Sequence, residues 1–310
     1  MTRTPGGLLA VHAHPDDESL TTGALLAAWA ASGRPVTLVT CTRGERGEVI
    51  GERLAHLEGD GPALAEHRDH ELDGAVAALG VRDRVYLDAV PPTADQRFED
   101  SGMAWVGAGR AGRPDEIPPA AFVRVGLEEA AERLARVIRS RRPDVVATYE
   151  PGGGYGHPDH VRTQQVTQRA VELAGARSDD ASPGYAVPVV LWVVQGCDAL
   201  RRGLRALGPA RHDLELPDPT AELPSVAVPD DEIDVEVAVL PVRDRVLDAL
   251  RSHATQVQAV RAVDGDNALV ASYALSNGIL APVLPTETYR RGTGGSGAPV
   301  VWPVGVRPVA

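Results

Sequence analysis

Apolar runs alternate with helical periodicities through the first two-thirds of the chain. "LLAVHA" (8–13), "PVTLVTC" (35–41), "RVYLDAV" (84–90), "DVVATYE" (144–150) and "VPVVLWVVQ" (187–195) read as strands. The near-continuous apolar character of the second suits burial on both faces. Between them, helices are predicted over about 19–32, closed by Gly33, and over 63–79, where Leu64, Leu72, Val76 and Leu79 sit near helical spacing. "LEEAAERLARVIRSRR" is a third, and "HPDHVRTQQVTQRAVELAG" a fourth, with Pro158 near its first turn and Gly175 at its end. This β-α-β-α order implies right-handed crossovers and helices on both faces of a sheet. The expected fold class is α/β: a Rossmann-like three-layer fold with a mostly parallel sheet and a smaller C-terminal appendage. No G-x-G-x-x-G follows the first strand, so the fold brings no dinucleotide with it.

Residues 91–118 read as a long loop. Beyond about 200 the pattern changes: "PARHDLELPDPTAELPSVAVPDDE" is Pro/Asp-rich loop, and "IDVEVAV" alternates as a half-buried strand should. "VRDRVLDALRSHATQV" is a helix, and the tail "RRGTGGSGAPV" reads as mobile. The expected organisation is a core over 1–200 and a segment over 201–310 packed on it, walling one side of the pocket.

Composition narrows the partners. The formal charge is −12 over 310 residues, which speaks against nucleic acid. All basic residues are Arg, so mechanisms that need a lysine amine are excluded. Cys41 and Cys197 lie far apart with no C-x-x-C spacing, and no apolar run approaches the ~18 residues of a membrane span. The expectation is a cytoplasmic protein acting on a small molecule, with no nucleic acid and no membrane.

Two segments carry chemistry. "VHAHPDDES" (11–19) follows the first strand, and "GGGYGHPDHVR" (152–162) follows the fourth. Ligands of open parallel sheets bind beyond the carboxyl ends of the strands, where the strand order reverses. In a 3-2-1-4-5 order, strands one and four are neighbours, so the two segments face each other there. His14 and Asp17 share one turn, and His160 completes the set from the other side. Two imidazoles and one carboxylate leave positions open for water and substrate, as a catalytic site for a Zn2+-type cation requires. Such an ion lowers its bound water toward a pKa of roughly 7 and polarises a carbonyl. Asp16, beside a ligand without being needed as one, can take the proton of that water. Tyr155 and His157 could face the developing oxyanion, with Asp159 holding the His157 imidazole. Either segment alone says little, since an Asp after His-Pro also caps helices. His12 reads as a core residue; His56, His67, His70, His212 and His253 read as surface or packing residues, and Cys41 as a small buried hydrophobe.

"AHPDDE" with the later "GHPDH" resembles the zinc-dependent N-acetylglucosaminyl deacetylase (PIG-L/LmbE-like) family. The resemblance runs from about residue 8 to 290. It includes "TCTRGERGEVIGER", "DSGMA", "YGHPDHV" and "HATQ…ALSN", which are similar to members that remove acetate from N-acetylglucosaminyl-inositol in mycothiol biosynthesis. It implies His14, Asp17 and His160 as metal ligands and Asp16 as general base. It further implies His157 as the residue assisting the oxyanion or leaving amine, Tyr155 as the one polarising the substrate carbonyl, and Asp159 as the acid holding His157. Glu48, Arg68, Asp100 and Met103 are implied as substrate-pocket positions. The family's ion is usually zinc, and Fe2+ suits the same ligands.

The implied substrate, a neutral pseudodisaccharide, needs hydrogen bonds from loops and no phosphate cradle. Loops 42–62 and 91–118 would supply that rim, with Arg68 forking two inositol hydroxyls. Within the family, the alternatives are the amide of a mycothiol S-conjugate or another N-acetylglucosaminide. Outside it stand a non-catalytic binding module, disfavoured by the intact Asp16, and Mg2+-dependent phosphoryl transfer, disfavoured by the two imidazoles.

Overall fold

The computed structural model describes residues 6–107, 110–114, 116–176, 184–208 and 214–309. The first half-sheet is built from β1 (Leu8–His12), α1 (Asp17–Thr21), α2 (Gly23–Ala31), β2 (Val36–Thr40), α3 (Gly61–Leu79) and β3 (Asp83–Tyr86). There follow β4 (Ala104–Gly107), β5 (Arg110–Gly112), α4 (Leu127–Arg141), β6 (Val145–Tyr149), the single turn α5 (Gly153–Gly156), α6 (Pro158–Gly175), β7 (Val189–Gly196) and α7 (Cys197–Ala206). The remainder supplies β8 (Ala227–Val228), β9 (Val235–Ala238), α8 (Arg243–Ser252), β10 (Gln258–Ala262), β11 (Ala271–Ala274), β12 (Leu280–Val283), β13 (Thr286–Arg291) and β14 (Val306–Pro308).

The central sheet runs β14-β9-β13-β7-β6-β1-β2-β3, with β8 beside β7. Strands β3, β2, β1, β6 and β7 are mutually parallel, in the expected order. β1 therefore lies against β6, in the register Leu8↔Val145, Leu9↔Val146 and Ala10↔Ala147. Side chains of a strand alternate between faces, and each strand feeds two cores. Leu8 and Ala10 of β1 point toward α2, α3 and α8, packing with Trp29, Leu72 and Leu247. Leu9 and Val11 point the other way, toward Leu134 and Ile138 of α4 and Val166 of α6. This accounts for the unbroken apolar runs: both faces are covered.

Four expectations need correction. The helix over 19–32 breaks at Thr22, whose hydroxyl donates to the Glu18 carbonyl and lies 2.8 Å from His12 Nε2. The loop over 91–118 contains the hairpin β4–β5. The segment beyond 200 is not only an appendage. β13, β9 and β14 extend the central sheet antiparallel, and α8 packs on α3 and α2; β10, β11 and β12 form a separate antiparallel sheet. The tail is tied back along β7, with Gly292 N–H donating to Val190 O and Ser296 N–H to Val187 O.

Candidate functional site

The first segment leaves β1 in a tight turn. The His14 N–H donates to Asp17 Oδ2 (2.9 Å), so Asp17 closes the turn that starts α1. Asp16, inside it, has φ 121° and ψ −35°, backbone space that L-residues avoid. The second segment leaves β6 through Glu150, whose carboxylate accepts from the N–H groups of Gly152 and Gly154 and from Ser225 Oγ (3.0 Å). His157 caps α6: its Nδ1 accepts the Asp159 N–H at 3.1 Å, which leaves the proton on Nε2.

Asp17 joins the two segments. Its Oδ2 is 3.3 Å from His14 Nδ1, and its Oδ1 is 3.3 Å from His160 Nε2. Two atoms each about 2.1 Å from one ion in a tetrahedral site lie roughly this far apart. His160 Nδ1 is 3.1 Å from the Gly153 carbonyl and donates to it, so Nε2 carries the lone pair. That buried Nε2 has no hydrogen-bond partner, as an atom reserved for a cation would. Ring nitrogens of His14, His157 and His160 lie within 4.8 Å of one another. The donor set fits a divalent ion of the zinc or ferrous type.

Tyr149, the last residue of β6, went unrecognised in the sequence. Its hydroxyl accepts the Ala13 N–H (2.9 Å), and its ring stacks on His160 with centroids 4.2 Å apart. It thereby links the two strand ends directly. An aromatic residue closing an apolar strand carries no mark that separates this role from packing.

Asp159 corrects an expectation. Its backbone N–H, and not its carboxylate, bonds His157. The carboxylate accepts from Ser101 N–H (2.8 Å) and Ser101 Oγ (2.5 Å) and lies 3.3 Å from His14 Nε2. It thus orients His14, leaving Nδ1 of that ring toward Asp17.

Arg68 is buried and turned inward. Its guanidinium donates to the carbonyls of Gly44 (2.6 Å) and Pro15 and pairs with Asp16 Oδ2 at 3.1 Å. Gly44 has φ +64°, and a Cβ there would lie 2.0 Å from Arg68 Nη1, so the close approach needs glycine. Asp100 accepts from Gly102 N–H (2.8 Å) and faces His14 Nε2 at 3.6 Å. Tyr155 meets the edge of His160, centroids 5.1 Å apart. His14, Asp16, Asp17, His157, His160 and Tyr155 line one cavity of about 630 Å³, as do Arg68, Asp100, Met103 and Glu48. Asp159 sits fully buried behind them. Gln256, Tyr273, Ser276, Asn277 and Thr286 contribute from the C-terminal segment.

The charges are ordered by burial and by each other. Burial pushes the Asp16 carboxyl up to about 6 even though the Arg68 guanidinium opposes it. Against the same burial cost, the His160 and His14 rings, when they carry a proton, hold Asp17 well below the usual carboxylate range. Burial, then the neighbouring His14 and His160 rings, keep His157 well below 6.5 and therefore neutral. The arrangement offers an ionised ligand, a proton acceptor poised near neutrality and an imidazole N–H in one crevice. Elsewhere, His12 is buried in the core as expected, while His253 is fully buried in an ion pair and not at the surface. His212 lies outside the described residues. Among the described residues, no helix is long and apolar enough to cross a membrane.

Comparison with known proteins gives this geometry its context. Residues 9–171 match the PIG-L family, described as GlcNAc-PI de-N-acetylase. The chain is 46% identical to a 1D-myo-inositol 2-acetamido-2-deoxy-alpha-D-glucopyranoside deacetylase of Kineococcus radiotolerans, over 95% of this chain and 80% of the relative. Its identity to the protein of the same name from Rhodococcus opacus is 42%, over 91% and 90%. Among solved structures, N,N'-diacetylchitobiose deacetylase from Pyrococcus horikoshii shares the fold, with a TM-score of 0.51 at 19% identity, covering 81% of this chain and 70% of the other. With its motifs, fold and relatives in agreement, the chain belongs to the PIG-L deacetylase family.

Proposed function

We propose that the protein hydrolyses the acetamide of N-acetylglucosaminyl-inositol, releasing acetate and glucosaminyl-inositol, the reaction that serves mycothiol biosynthesis. The observation that carries this reading is Asp17 set between His14 and His160, with the buried His160 Nε2 making no hydrogen bond. The names of the relatives supply the substrate.

In this reading His14, Asp17 and His160 hold a divalent cation, Zn2+ or Fe2+. Such a cation supplies an acidified water and polarises the amide carbonyl. Asp16 takes the proton of the attacking water, and its raised pKa suits a base working near neutrality. Tyr155 hydroxyl and the neutral His157, through its Nε2–H, donate hydrogen bonds to the carbonyl oxygen as it gains charge, and the proton that Asp16 took from the water passes to the departing amine. Asp159 keeps His14 in its tautomer. Asp100, Met103 and Glu48 border the sugar, and Arg68 acts beside them by holding the Asp16 turn. The proposed metal and proton-transfer residues all come from residues 1–200, while 201–310 complete the sheet and wall the pocket. The free thiols of Cys41 and Cys197 suit a reducing cytoplasm.

A second amide, that of a mycothiol S-conjugate, is favoured by one feature: Leu20, Val246, Leu250, Val283 and Leu284 make an apolar cavity wall that a pseudodisaccharide does not need. The test is direct. Protein loaded with zinc or with ferrous iron is incubated with each amide, and free amine is measured against an Asp16→Ala control. Release from N-acetylglucosaminyl-inositol no faster than in the control would refute the proposal.

A further inference from the structure

Glu18 and His253 are fully buried, 2.7 Å apart, and contribute no atom to the proposed chemistry. They lie 235 residues apart in sequence. Burying a carboxylate and an imidazole away from water is costly unless their contact does something packing could not. Glu18 has a second contact. Its Oε2 accepts the Asp16 N–H at 3.0 Å, while its Oε1 takes His253 Nε2 and Ser19 Oγ.

Asp16 needs that contact. At φ 121° its backbone is strained, and such a conformation persists only where its surroundings over-determine it. The Asp16 carbonyl is held by Ser19 N–H (2.9 Å) and Leu20 N–H (3.0 Å), and its carboxylate by Arg68. Its N–H is held by Glu18. Glu18 in turn cannot swing away, because His253, at the end of α8, closes on its other oxygen.

We propose that Glu18 and His253 are positioning residues for Asp16. Glu18 clamps the strained peptide that aims the Asp16 carboxylate into the cavity, and His253 locks the Glu18 rotamer. This rests on reading Asp16 as the general base. Through the proposal, the "HATQ" segment gains a role: its His sets the turn, while the adjacent Thr255 and Gln256 are tied to Glu71 and to the Glu48 carbonyl.

The test compares His253→Leu with His253→Gln in the full chain loaded with zinc. Gln carries an N–H where Nε2 stood, and Leu does not. For His253→Leu, kcat on N-acetylglucosaminyl-inositol is expected to fall roughly tenfold to a hundredfold, because a small misplacement of a catalytic group costs that much. KM and zinc per chain stay at wild-type values, and His253→Gln recovers kcat to within about threefold of wild type. In the metal-free protein, hydrogen exchange at the Asp16 amide speeds up in His253→Leu and stays slow in His253→Gln. Should the Leu variant fail to fold, His253→Asn, whose amide stops short of Glu18, takes its place. An unchanged kcat in the loss variant would overturn the proposal, as would zinc loss in proportion to kcat. Asp16→Asn separates this from the underlying reading: wild-type turnover there removes Asp16 as base whatever His253 does. If Asp16→Asn is inactive and His253→Leu is not, the positioning proposal alone falls.

Discussion

His160 Nε2 lies 3.3 Å from Asp17 Oδ1 and makes no hydrogen bond, although it is buried. A buried imidazole nitrogen without a partner costs stability, and a bound cation repays that cost. Adding zinc to the metal-free protein is therefore expected to raise its melting temperature. At a hundredfold excess over Kd the gain is about 2.7 kcal/mol. His160→Ala should abolish both the shift and stoichiometric zinc uptake, read by calorimetry and elemental analysis. An equal shift in the variant would place the cation elsewhere.

Asp159 and His14 make a sharper distinction. The Asp159 carboxylate faces His14 Nε2, so its loss should act on the metal. Asp159→Asn is expected to weaken zinc affinity about tenfold to a hundredfold, measured by competition with a chelator. Were the carboxylate serving His157 instead, kcat would drop with zinc affinity intact.

These two residues also mark how far the sequence could be read. The convergence of His14, Asp17 and His160, the proposed ligands, was legible because "AHPDDE" and "GHPDH" each end a buried apolar run, and parallel-sheet topology brings such ends together. Whether the Asp159 carboxylate turns to His157 or to His14 depends on Ser101, which approaches from a separate loop and follows no periodicity. The same limit hid β13. "TETYRR" has a single large apolar side chain, yet Tyr289 and Thr288 are buried because β7 and β9 flank the strand. His253 reads in the sequence only as a surface or packing residue, and its buried ion pair stays hidden there because its partner Glu18 is remote in sequence.

The Glu18–His253 pair gives stability a pH dependence of predictable sign. Burial would lower the His253 pKa, but the Glu18 carboxylate outweighs it and raises the ring above 6.5. Its contribution is full below 6.5 and is lost as pH climbs through the folded value. Burial would raise Glu18, but His253 holds it below 4.5, so its contribution is lost as pH falls through that lowered value. The pair thus stabilises most between 4.5 and 6.5. His253→Leu should cost the metal-free protein about 3 kcal/mol at about pH 5.5, and the gap to wild type should narrow toward about pH 9. Urea midpoints across that range check it, and a gap that widens with pH would contradict the pairing.

Arg68 tests whether this crevice binds substrate through its guanidinium or only shapes the base. Two carbonyls and the Asp16 carboxylate already take up that guanidinium, and Gly44 packs against it where no side chain could. Lysine keeps the charge but has no fork, so it cannot hold the Pro15 and Gly44 carbonyls together while reaching Asp16. Arg68→Lys is therefore expected to lower kcat about tenfold or more and to leave KM for N-acetylglucosaminyl-inositol within about twofold. A residue whose fork grips the inositol would give the opposite split, raising KM because the lost interaction is already made in the bound ground state. Steady-state kinetics on the zinc-loaded variant decide between them, and a rise in KM at constant kcat would return Arg68 to the substrate.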